Sequence, residues 1–109
     1  MMRTLLVAAL VFGLTKLDPA TAQTNSTRFK LITVDPGHFH ASLVQKYMYA
    51  DVDPIVHVYA PAGDDLTEHL NRIERFNTRT NDPTHWQEKV YTGSDFFAKM
   101  LAEKPGNVV

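Results

Sequence analysis

The chain contains no cysteine in 109 residues. That excludes disulfide frameworks, thiolate metal centres, cysteine nucleophiles and a bacterial lipid anchor on cysteine. It also lacks a charge excess, since 11 Lys and Arg against 12 Asp and Glu leave a formal net charge of −1. No basic footprint for nucleic acid follows from that balance, and no acidic tail of the solvating kind. Internal repeats and low-complexity segments are absent, and long apolar runs are missing except near the N-terminus.

That one run reads as an export signal. Arg3 supplies a positive start and Leu5 to Leu14 an apolar stretch, too short to span a bilayer comfortably. Ala20-Thr21-Ala22 matches a small-x-small cleavage pattern, which places the mature start at Gln23. Lys16 and Asp18 close the apolar run and argue against a retained membrane helix. The expectation is a signal peptide at 1–22, a flexible leader at 23–28, and an exported protein, periplasmic or secreted, without stable membrane insertion.

Strand and helix patterns alternate from there on. Phe29 to Val34 is an apolar, partly β-branched run that reads as a buried strand, and Asp35-Pro36-Gly37 stops it. Pro36 biases Asp35 toward an extended backbone, and Gly37 can take φ > 0. His40, Leu43, Val44, Tyr47 and Met48 then fall on one stripe of a helix. A strand, a glycine turn and a helix start aim backbone N–H groups at one spot, a natural anion site over Gly37 to Phe39.

A second strand spans Ile55 to Ala60, between Pro54 and Pro61. Gly63-Asp64-Asp65 opens a second helix, with Asp65 and Glu68 spaced as a capping box and Leu66, Leu70, Ile73 and Phe76 inward. Asn77 to His85 reads as a loop, Glu88 to Thr92 as a short third strand. Ser94 is placed to cap a third helix whose buried face is Phe96, Phe97, Met100 and Leu101, ended by Lys104-Pro105-Gly106. Asn107-Val108-Val109 looks like the opening of a fourth strand. The expected fold is therefore α/β, a β-α-β-α-β-α-β start with a parallel sheet and right-handed crossovers. Residues 29–109 read as the truncated N-terminal part of a larger domain.

The segments LITVDPGHFHASLVQKYMY, VHVYAP, THWQEKVYTG and LAEKPGNVV together resemble the N-terminal end of periplasmic oxidoreductase-like proteins. These are related to the glucose–fructose oxidoreductase/inositol dehydrogenase (Gfo/Idh/MocA) family. The resemblance implies a Rossmann-like domain binding NAD or NADP through Gly37, His38, Phe39 and His40. It also implies a C-terminal substrate domain through which oligomers form, and a sugar or polyol substrate. The chain departs from the dinucleotide fingerprint G-x-G-x-x-G, where it reads Gly37-His38-Phe39-His40-Ala41-Ser42. Phe39 stands at the second glycine, which normally lets the backbone approach the pyrophosphate. The second strand ends Val58-Tyr59-Ala60-Pro61, with no carboxylate for the ribose before Asp64. Those departures make a carbohydrate-binding relative without catalysis a second expectation, and the 109-residue chain alone is not expected to turn over substrate.

The remaining histidines and one lysine complete the inventory. His38 and His40 form an H-x-H pair at a strand end, the spacing with which metal-dependent amidohydrolases begin, so the start of such a hydrolase is a third expectation. No third ligand follows at a recognised spacing, so no metal is expected. Glu103-Lys104-Pro105 matches the family's lysine triplet but precedes its strand, which assigns Lys104 to the helix C-terminus. His57 reads as a sheet residue, His69 as lying near the apolar stripe of the second helix, and Trp86 as packing.

Overall fold

A computed structural model describes residues 28–109. The signal peptide expected at 1–22 and all but the last residue of the leader lie outside them. Three strands, β1 (Ile32–Val34), β2 (Ile55–Tyr59) and β3 (Gln87–Tyr91), form a parallel sheet in the order β1-β2-β3. A 3₁₀ helix η1 (Phe39–Gln45) joins β1 to β2, α1 (Asp64–Thr78) joins β2 to β3, and α2 (Phe96–Glu103) follows β3. The α/β alternation and the parallel sheet make the fold Rossmann-like. Among the described residues no helix is long and apolar enough to cross a membrane.

The beginning of a further strand lies on the other side of β1. Leu31 pairs with Val108 in a parallel bridge, and Ile32 N–H donates to the Val108 carbonyl at 2.7 Å. Gly106 makes this approach possible, because a Cβ there would sit 2.5 Å from the Lys30 carbonyl oxygen. Asn107 locks the join, accepting from Lys30 N–H at 2.8 Å and donating to the Arg28 carbonyl at 3.0 Å. The spatial order is thus β3-β2-β1 and then Val108, so the connection reverses direction beside β1.

The pleat sends alternate residues to opposite faces. Val56, Val58 and Ala60 meet Leu66 and Ile73 of α1 together with Leu31 and Trp86. On the other face Ile32 and Tyr59 meet Met100 of α2, flanked by Val34, Tyr91 and Phe96. Val56 and Val58 have no exposed surface, and full burial of such side chains stabilises by about 1.5–3 kcal/mol each.

Several local expectations are corrected. The stripe of a 3.6-residue helix over His40 to Met48 is absent. In η1 the period is three, so Ser42 and Gln45 turn inward while Leu43, Val44 and Tyr47 stay about half exposed. Gly63, not Asp65, is the N-cap of α1, and no side chain caps it; Asp64 and Asp65 instead place charge in the first turn, where the helix dipole favours it. Asp95 rather than Ser94 precedes α2, and its carboxylate accepts from Tyr91 OH at 2.7 Å instead of capping the helix. Phe97 and Leu101 are exposed, so only Met100 and, partly, Phe96 face inward. Lys104 takes the left-handed C-cap position, φ 42°, its N–H donating to the Met100 carbonyl.

Candidate functional site

The carboxyl ends of parallel strands, at the point where strand order reverses, are where α/β sheets present ligand-facing loops. Here that point is the segment after Val34. Asp35 has φ 45°, left-handed and uncommon for a residue with a Cβ. Its N–H donates to the Tyr59 carbonyl at 2.9 Å, and its own carbonyl accepts from Gly37 N–H at 2.8 Å. The expected division of labour is therefore reversed. Asp35 carries the positive φ and Gly37 does not, because the chain must bond to Tyr59 and turn within three residues.

That turn also narrows the expected anion cradle. Gly37 N–H is committed to Asp35, His40 N–H donates to His38 Nδ1 at 3.3 Å, and Ala41 N–H donates to the His38 carbonyl at 3.0 Å. Of the three amides from Gly37 to Phe39, only those of His38 and Phe39 make no bond among the described residues.

The side chains here form an exposed aromatic cluster. The rings of His38 and Phe39 lie 4.4 Å apart, those of His38 and His40 4.4 Å, and those of Phe39 and His40 4.2 Å. Such a surface suits stacking against a flat ring or a sugar face. An open apolar hollow of about 350 Å³ is lined by Ile32, Val34, Ala41, Val44, Val108 and Val109, Ala41 following His40 directly in the chain. Among the described residues no three His, Asp or Glu side chains come together as a metal site. His38 also uses Nδ1 internally, which weakens the H-x-H pair as a ligand set.

Sequence reasoning missed Asp65. A Cβ on Gly37 would lie 3.5 Å from Asp65 Oδ2, so the first turn of α1 brings a carboxylate to the turn after β1. The available signal was the Asp64-Asp65 pair a few residues beyond the second strand. His57 is a half-buried sheet residue, His69 is fully buried on α1, and Trp86 is buried as packing, its Nε1 donating to the Gln45 carbonyl at 2.7 Å. Tyr59, at the end of β2, donates to Glu103 Oε2 at 2.6 Å; burial first, then Glu103, pushes its phenol up to about 12. This contact holds α2 to the sheet.

No protein-family model matches the chain, and no curated protein matches it. A crystal structure does, that of a protein from Parabacteroides merdae ATCC 43184 named "putative oxidoreductase". The match has 61% sequence identity and a TM-score of 0.74, covering 75% of this chain and 19% of that one. The chain thus spans 19% of that relative's length, and it is related to an oxidoreductase-like protein.

Proposed function

We propose that the chain supplies the first dinucleotide-binding segment of an exported, NAD(P)-dependent oxidoreductase-like protein of the Gfo/Idh/MocA kind, acting on a sugar or polyol. The observation that carries this reading is the strand order. Val108 lies on the side of β1 away from β2, which puts Asp35 to His40 at the reversal point of the sheet. The residues present fit a dinucleotide in part. The amides of His38 and Phe39 would donate to a phosphate, Phe39 and His40 would flank it, and Asp65 beside Gly37 would accept from a ribose hydroxyl. The nicotinamide supplies hydride transfer when bound, and this chain's residues position it. A carboxylate at that place favours the 2′-hydroxyl of NAD over the 2′-phosphate of NADP. The substrate domain and any oligomer contacts belong to the rest of the protein.

A second reading is a carbohydrate-binding relative without catalysis. It is favoured by Phe39 at the second glycine and by the ring cluster standing where the backbone would approach the pyrophosphate. Calorimetric titration of the intact protein with NAD⁺ and NADP⁺, beside a dehydrogenase assay over sugars and polyols, separates the two. The expected result is binding with NAD⁺ preferred and the preference lost in Asp65→Asn. Binding of sugar with neither cofactor would establish the second reading instead.

A further inference from the structure

Gln45 and Glu88 meet inside the α1 face of the sheet, 43 residues apart in sequence. Gln45 closes η1 and has no exposed surface, while Glu88 pairs with Val56 and shares its face of the pleat. Gln45 Nε2 donates to Glu88 Oε1. The two remaining oxygens, Gln45 Oε1 and Glu88 Oε2, are both buried and have no partner. An ionised carboxylate only accepts, so it would leave two acceptors facing the interior with no hydrogen to share. One proton makes them complementary.

We propose that Glu88 is protonated in the folded protein and that its Oε2–H donates to Gln45 Oε1, closing a two-bond acid–amide ring that ties η1 to β3. The ring gives every polar atom of the pair a partner and explains why a polar side chain, rather than Val44 or Leu43, turns inward from η1. Burial pushes the Glu88 carboxyl up to about 7, against the opposing pull of the Gln45 amide. Among the described residues no cation pairs with it. His69, buried on α1, is held below the ordinary imidazole value by burial and then by Arg72, which keeps it neutral. His40 of η1 is exposed, and the pleat carries His57 and Lys89 to the opposite face of the sheet. Because η1 begins at Phe39, loss of this proton loosens the anchor of the segment after β1.

Side-chain carboxyl ¹³C NMR of the intact protein, assigned through bonds from the backbone, reads the titration directly. Glu88 is expected to titrate near 7 instead of 4.5, and the Gln45 side-chain amide to shift with the same midpoint. A midpoint near 4.5, or a Gln45 amide that ignores the titration, overturns the proposal. Stability gives a second reading. A carboxyl raised in the folded state contributes fully below 4.5, and that contribution is lost as pH rises to about 7. Glu88→Gln keeps a neutral donor there at every pH, so the Tm of the wild type relative to this variant should fall across that window. His69 acts in the opposite sense, its contribution lost as pH falls below 6.5, but it is common to both proteins and cancels. A Tm difference that stays constant with pH overturns the ring.

Discussion

The two faces of the sheet are built differently. On the α1 face, η1 and α1 cover Val56 and Val58 completely, and the same layer encloses Gln45, His69, Trp86 and Glu88. On the α2 face, one helix of 8 residues buries Met100 and leaves Phe97 and Leu101 in the open, fastened to the sheet by Tyr59 donating to Glu103, whose other oxygen pairs with Lys99 within the helix at 3.1 Å. A sealed layer makes packing and polar satisfaction strict, whereas a thin one leaves much of its helix energetically indifferent. The segment after β1 sits at the strand ends between them, borrowing rigidity from the α1 side through Gln45.

Truncation of Trp86 tests the sealed side hardest. Its ring is 4% exposed and its Nε1 bonds the Gln45 carbonyl. Trp86→Ala should cost about 3–5 kcal/mol in urea unfolding and should loosen η1 as well. A cost below about 1 kcal/mol would mean that the two faces do not differ as described. Gly106→Ala probes the join beside β1. A Cβ there meets backbone at 2.5 Å, so something must move, and a loss on the order of 1–3 kcal/mol is expected. Amide exchange at Ile32, which donates to Val108, should quicken with it. Smallest is Phe97→Ser on the open face. The ring is 54% exposed, and the change should stay within about 0.5 kcal/mol unless that surface is covered in the intact protein.

The two faces also differed in how much could be read from sequence. The strand β2, the helix α1 and the α/β alternation were visible, because the apolar periods of β2 and α1 match the faces they bury. Strand β3 was placed without such a period, since it turns Glu88 inward and leaves Val90 exposed. The opening of a further strand at Val108 was expected from the apolar end, but its place beside β1 came only with the structure. The stripe over His40 to Met48 misled, because η1 obeys a three-residue period chosen by a partner outside its own segment. Gln45 turns inward for Glu88, and no local pattern announces such a pair. Asp35 misled for a related reason: the rule for residues before proline was outweighed by bonds to Tyr59 and Gly37. Ser94 and Asp65 were sound capping candidates by type, yet the helices start without them. Of the candidate site, Gly37 to His40 were identified from the glycine turn, while Asp65 came only with the packing of α1.

The proposed dinucleotide site takes in the segment after β1, at the reversal point of the sheet. Amide-resolved NMR of the intact protein during titration with NAD⁺ tests it most directly. The expected result is saturable shifts concentrated at His38, Phe39, His40 and Asp65, with β3 and α2 unmoved. Shifts confined to other residues, or none at saturating cofactor, would contradict it.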